Sequence, residues 1–246
     1  MLQDRVALVT GGTRGIGAAI TRALARDGAV VAAGYTRDRV RAQSLQRELA
    51  AIGARVSLHQ GDVGVPEDCQ RAVQEVLATH GRLDILINNA GITMDKTVRR
   101  MSIDDWHQVL RVNLNGVFYM TKAVLETMIA QGWGRVVNVS SVIGQTGNIG
   151  QANYAASKSA LFGFTQSLAL EMAQRGVTVN CVAPGFIETE MVAALPEAAL
   201  RAVVDRIPQR RLGSPDEVAR VVRFLVDDDS SYITGAIYTV NGGLFM

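Results

Sequence analysis

Apolar and polar positions fall into blocks with two different periods along the chain. Arg5 to Thr10, Ala29 to Gly34 and Arg55 to Gln60 are short, apolar or β-branched runs that read as buried strands. Between them, Gly15 to Asp27 and Asp38 to Ile52 space their apolar residues as helices do. The rhythm continues with a helix over Pro66 to His80, a strand Asp84 to Ile87, a long helical region Ser102 to Gln131 and a strand Arg135 to Ser140. A helix Asn153 to Arg175, a strand Val177 to Ala183, helices near Glu190 to Arg206 and over Pro215 to Val226, and a strand Ala236 to Val240 complete it. Strands this apolar must be covered on both faces, and alternating β and α segments join into a parallel sheet through right-handed crossovers. The pattern predicts an α/β protein with one doubly wound sheet of seven parallel strands. Neither a linker nor an internal repeat interrupts residues 1–246, so a single domain is expected.

Composition narrows the function classes. At 246 residues with 48% apolar content the chain has material for a large core. Its 25 basic and 23 acidic residues give a net charge of +2 with no long run of one sign, which offers no surface for nucleic acid or anionic membrane. No apolar run approaches the roughly 18 to 20 residues of a membrane span, and Met1 to Arg5 lacks the layout of a signal peptide; a soluble, cytoplasmic protein is expected. Cys69 and Cys181 stand far apart, and His59, His80 and His107 form no ligand pair, so no metal is expected and the histidines read as surface or helix-end residues. Only three basic residues are lysines, Lys96, Lys122 and Lys158.

Thr10-Gly11-Gly12-Thr13-Arg14-Gly15-Ile16-Gly17 separates the first strand from the first helix. Its Gly-x-x-x-Gly-x-Gly spacing is a variant of the dinucleotide fingerprint, in which glycines let the backbone approach a pyrophosphate and the helix N-terminus meets its charge. In a complete βαβ unit this points to a Rossmann-type, dinucleotide-binding and catalytic domain. The second strand ends in Gly34-Tyr35-Thr36-Arg37. A basic residue there, with Arg14 in the loop, favours the 2′-phosphate of NADPH over the 2′-hydroxyl of NADH. Asp38 is an alternative acidic reader of the ribose, or a cap for the next helix.

Asn88-Asn89-Ala90-Gly91 after the fourth strand, Asn113 in a helix, Ser141 after the fifth strand and Tyr154-Ala-Ala-Ser-Lys158 opening the next helix, together with the glycine loop, resemble the short-chain dehydrogenase/reductase family over essentially the whole chain. Asn89 to Thr93, Gly150 to Tyr154, Pro184 to Thr189 and Val240 to Gly243 are similar to its 3-oxoacyl-thioester reductases, which comprise 3-oxoacyl-acyl-carrier-protein reductases and acetoacetyl-CoA reductases. At i and i+4 of a helix, Tyr154 and Lys158 share a face, so the ammonium is expected to lower a phenol pKa that is ordinarily about 10 and ready it as a general acid. Ser141, thirteen residues before Tyr154 as the family pattern has it, would hydrogen-bond the substrate oxygen; Ser140 is the alternative.

By resemblance, Asn113 holds a water linking Lys158 to solvent, and Lys158 also meets the nicotinamide ribose. The resemblance further implies that Asp62 and Val63 bind adenine, Asn89, Ala90 and Gly91 run along the adenosine side, and Ile187 and Thr189 after Pro184-Gly185 meet the carboxamide and pyrophosphate. Asp62 also reads as a plain turn residue. Gly11, Thr13, Arg14, Gly15, Ile16, Gly17 and Arg37 complete the cofactor set, and Gln151 and Phe186 join Ser141 and Tyr154 on the substrate side.

Residues 185–211, with Pro184, Pro196 and Pro208 at the joints of an apolar helix Met191 to Val204, read as a lid. The activity implied is NADPH-dependent reduction of a 3-oxoacyl thioester to the (3R)-3-hydroxyacyl product. Arg99, Arg100, Arg175, Arg210 and Arg211 would suit an acidic carrier protein, whereas Gly132-Trp133-Gly134-Arg135 and Ser140 to Gln145 look more like the acetoacetyl-CoA reductases of polyhydroxyalkanoate synthesis. Both carriers remain open, as do a reductase of unrelated ketones and a non-catalytic cofactor-binding subunit. Apolar residues beyond what one sheet face covers (Val117, Phe118, Met120, Leu161, Phe162, Phe164) suggest a homotetramer, as in relatives.

Overall fold

The computed structural model describes residues 2–193 and 197–246. Seven strands form one parallel sheet: β1 Val6–Val9, β2 Val30–Tyr35, β3 Val56–Gln60, β4 Ile85–Asn88, β5 Gly134–Val139, β6 Val177–Pro184 and β7 Ile237–Val240. Their order is β3-β2-β1-β4-β5-β6-β7, so the chain winds outward from β1 in one direction, then crosses back to β4 and winds outward in the other. The crevice beside that reversal, at the carboxyl ends of β1 and β4, is where open α/β sheets bind ligands.

Successive strand residues point to opposite faces, and each face has its own core. Ala7, Val9, Ile85, Ile87, Val137 and Val139 pack under α1 (Gly15–Arg26), α2 (Arg39–Ala50) and α10 (Pro215–Val226). Val6, Leu8, Leu86, Val136 and Val179 pack on the other face, under α3 (Pro66–His80), α5 (Gly116–Gln131) and α7 (Ala152–Met172). This two-sided burial is why the strands read as continuous apolar runs.

Four expectations are modified. The helical region from Ser102 is interrupted: α4 spans Ile103–Leu110, a π turn covers Arg111–Asn115, and α5 follows. The region Glu190 to Arg206 contains α8 (Glu190–Ala193) and α9 (Glu197–Arg206), while Pro196, expected as a joint, lies outside the described residues. A one-turn helix α6, Ile143–Thr146, stands where none was expected. Among the histidines, His59 is buried rather than superficial. Its Nε2 and that of His80 share the Ser57 hydroxyl, and its Nδ1 meets Glu75, which satisfies the ring inside the fold.

Of the surplus apolar residues, Val117, Met120 and Leu161 enter the core, whereas Phe118 stays exposed. No helix among the described residues is long and apolar enough to cross a membrane.

Candidate active site

The turn between β1 and α1 is shaped by backbone crowding. A Cβ at Gly17 would lie 2.1 Å from the Gly11 carbonyl oxygen, so only glycine lets the helix start this close to the turn. Gly15 has φ +50°, and a Cβ there would meet only Thr189, 3.5 Å away; the turn thus lies open toward Thr189. Arg14 occupies the N-cap of α1 with extended backbone and makes no capping bond, and no acid stands in the first turn. The helix therefore presents N–H groups and its positive dipole end to an anion. Thr21 clamps the turn by donating to the Gly12 carbonyl, and Thr13 and Gly17 are buried while Ile16 is partly so.

Asn89 braces this turn from β4. Its amide donates to the carbonyls of Thr10 (2.9 Å) and Gly11 (3.2 Å), while its N–H and that of Ala90 both reach the Thr10 hydroxyl. Beside them a cavity is lined by Gly11, Ala90, Tyr35, Thr36, Asp62 and Val63. Gly91 stands beside the helix residues: a Cβ there would sit 3.4 Å from both the Asn113 Oδ1 and the Lys158 Nζ.

Ser141 follows β5 and is buried, its hydroxyl accepting from the Ile143 N–H. The neighbouring Ser140 hydroxyl donates to the Lys158 carbonyl at 2.7 Å, which commits it to the backbone of α7. Tyr154 stands in the first turn of α7 and Lys158 one turn later, its Nζ 5.8 Å from the Tyr154 ring centroid. Burial raises the Tyr154 phenol pKa, a bond with Ser141 draws it down, and Asp95 adds to the rise. The net shift is upward, opposite to the expectation from helix spacing, because desolvation of the phenolate prevails. Lys158 is buried and donates to the Val139 carbonyl at 2.7 Å; among the described residues no carboxylate pairs with it. Burial alone is enough to bring its pKa down to about 8. Asn113 is spent on protein partners: Oδ1 accepts from Ile92 N–H, and Nδ2 donates to the Ile92 carbonyl and to Ser157.

Two comparisons decide the family. A family model described as Enoyl-(Acyl carrier protein) reductase matches residues 11–245. The chain belongs to the short-chain dehydrogenase/reductase family. Among curated relatives of this family, 3-oxoacyl-acyl-carrier-protein reductase FabG of Aquifex aeolicus is 49% identical over 245 residues, 99% of this chain and 98% of its own. Acetoacetyl-CoA reductase of Allochromatium vinosum is 45% identical over 243 residues, 98% of this chain and 99% of its own. Nodulation protein G of Azospirillum brasilense is 42% identical over 243 residues, 99% of each chain. As a member of this family the protein is an oxidoreductase that works with a nicotinamide cofactor.

The cradle fits such a cofactor. Glycine positions that a Cβ would fill, an uncapped helix start and an adjoining cavity are what a dinucleotide requires. Beyond β6, Phe186 and Glu188 bond both groups of Gly213, which turns the N–H and C=O of Ile187 itself to the other side. The Ile187 side chain is buried in the core. Gly185 abuts Asn241, where a Cβ would lie 2.8 Å from the Asn241 Cα, and the Pro184 carbonyl receives the Val142 N–H. Arg14 and Arg37 are exposed, and among the described residues no carboxylate hydrogen-bonds either. Asp38 caps α2 through the Arg41 N–H. Gln151 donates to Asp95 and accepts from Asn148, next to an open groove of about 650 Å³ lined by Asp95, Arg99, Arg100 and Ile149.

Several supporting residues were given no role by the sequence, although Asn88 stands in the motif after the fourth strand. Asn88 donates to Asn138 and Thr121, and Asn138 donates to Thr165, a buried ladder that joins β4 and β5 to α5 and α7. Polar residues within apolar strands were the clue available. Arg111, paired with Asp62 at 3.0 Å, looked like any surface arginine.

Proposed function

We propose that the protein reduces a 3-oxoacyl thioester to the (3R)-3-hydroxyacyl thioester with NADPH. The observation that carries this reading is the buried face where Tyr154 meets Ser141 while Lys158, one turn on, holds an ammonium without a carboxylate. The cofactor, when bound, supplies the hydride that reaches the carbonyl carbon. Gly11, Thr13, Gly15, Ile16, Gly17 and Thr189 would hold its pyrophosphate, Asp62 and Val63 the adenine, Ala90 and Gly91 the adenosine and ribose side, and the Ile187 backbone the carboxamide, with Asn89, Pro184 and Gly185 shaping the walls. Arg14 and Arg37 would take the 2′-phosphate as unpaired guanidiniums do.

Ser141 would hold the keto oxygen, and Tyr154 would give it a proton as the oxygen gains charge. A phenol kept neutral by its surroundings retains that proton until the oxygen needs it. The Lys158 ammonium, which no carboxylate among the described residues neutralises, is free to stabilise the phenolate left behind. Asn113 sits in a turn whose extra residue breaks the regular backbone ladder, a place for the water that would return a proton by way of Lys158. Gln151 and Phe186 would border the acyl chain, and residues 185–211 would close over it.

For the carrier, Arg211 is tied to Glu217 and Arg210 to Asp205, which leaves Arg99, Arg100 and Arg175 to meet an acidic carrier protein or the phosphates of CoA. Exposed Phe118 and Leu170 fit burial in a homotetramer. A panel of acetoacetyl-CoA, acetoacetyl-carrier protein and simple ketones under equal NADPH tests the reading. Thioesters should lead in kcat/KM and yield the (3R) alcohol; faster turnover of unrelated ketones would overturn it.

A further inference from the structure

The π turn Arg111–Asn115, which carries Asn113, closes with the Gly116 N–H bonded to the Arg111 carbonyl. Both ends of that bond are pressed against one loop, residues 62–64. At the first end, the Arg111 guanidinium donates to Asp62 Oδ2 at 3.0 Å and lies over Gly64, where a Cβ would be 2.3 Å from its Nη1. At the second, a Cβ on Gly116 would meet the Val63 carbonyl oxygen and Cγ2, each at 2.9 Å. Glycines thus allow the interlock at both ends. The same loop is braced from behind: Asp62 Oδ1 accepts from the Gly64 N–H, and the Asp62 N–H donates to Asp68. On its other side, Asp62 and Val63 line the cavity next to Gly11 and Ala90. From the π turn the contacts run on, since Asn113 donates to Ser157 and Ser157 donates to the Tyr154 carbonyl.

We infer that Arg111 is a positioning residue that couples occupancy of the Asp62–Val63 cavity to the setting of Asn113, by clamping the π turn to the cavity wall. The inference rests on the proposed cofactor reading only in taking that cavity as the adenosine end. A π turn and a regular helical turn differ by one residue of register, and the inferred coupling is a bias between these two arrangements. A group bound at the Asp62 carboxylate fixes the oxygen that Arg111 holds, and so favours the clamped arrangement.

Amide hydrogen exchange with adenosine 2′,5′-bisphosphate, a probe without nicotinamide, tests this. In the wild type, exchange should slow in residues 61–64 and also in 111–116, by at least roughly fivefold in each, the lower range of measured couplings. In Arg111→Ala the first effect should persist and the second vanish. Gly64→Ala, which evicts the guanidinium while keeping its charge, should do the same. In kinetics, the advantage in kcat of NADPH over reduced nicotinamide mononucleotide should shrink in Arg111→Ala, whereas a merely structural lesion lowers kcat with both alike. Protection at 61–64 with none at 111–116 in the wild type, or equal protection of 111–116 in wild type and variants, overturns the coupling alone. Absence of protection at both segments contradicts the cofactor reading and the coupling with it.

Discussion

Lys96 and Lys158 show how differently two parts of the molecule treat the same side chain. In the segment before α4, Lys96 is half exposed and its ammonium reaches both oxygens of Asp105, at 3.0 and 2.7 Å. Asp105 in turn closes the capping box of α4 with Ser102. On the buried face of α7, Lys158 meets a backbone carbonyl and lies over the ring of Tyr154. A lysine with a counterion acts as a strut, whereas one buried without a carboxylate has a perturbed proton equilibrium and an unspent positive field. The surroundings, not the residue type, separate the lysine proposed for chemistry from the structural one.

The sharpest way to break the contrast is at the phenol. Tyr154→Phe keeps the packing and removes the acid, so kcat with acetoacetyl-CoA should fall by about 10² to 10⁴-fold. The corresponding effect on stability is expected at Lys158. Its folded pKa of about 8 lies below the ordinary lysine value, so below pH 8 the fold carries a protonated amine it would shed more readily than the unfolded chain. Between pH 8 and the unfolded value of about 10.5 the unfolded chain binds more protons, and stability rises with pH by at most about 1.4 kcal/mol per unit from this group. Denaturant titrations of wild type and Lys158→Met across that window should diverge accordingly; parallel curves would remove the contrast.

A smaller effect belongs to the cofactor end. Arg37→Ala and Arg14→Ala should each reduce the preference in kcat/KM for NADPH over NADH by about tenfold, the value of one charged hydrogen bond. The smallest lies at the strut. Lys96, first, and then Ser102 hold the Asp105 carboxyl at about 2, below the ordinary value. Its stabilising effect is present above the unfolded pKa and lost as pH falls from about 4 toward 2. Acid unfolding of Asp105→Asn should show less dependence on pH in that range, with turnover at neutral pH little changed.

Much of this was legible from residue order. Helices Pro66–His80 and Pro215–Val226 begin at prolines and match the expected ranges, because proline fixes the first helical turn. The seven strands followed from apolar runs bounded by glycine and polar residues. The π turn was not legible, since Arg111 to Asn115 gives no sign of it in its composition and the loop it is pressed against, residues 62–64, lies about fifty positions away. Likewise, the spacing of Tyr154 and Lys158 placed them on one face but said nothing of the desolvation that raises the phenol. Spacing reports neighbours within an element; burial depends on everything packed around it.

The scarcity of lysine makes the central claim measurable. With only Lys96, Lys122 and Lys158 in the chain, selective labelling of the lysine ε-carbon gives three resonances, and Lys158→Met assigns one of them. The account predicts that in the ligand-free protein this resonance titrates with a midpoint near 8. A midpoint at the ordinary lysine value of about 10.5 would contradict it.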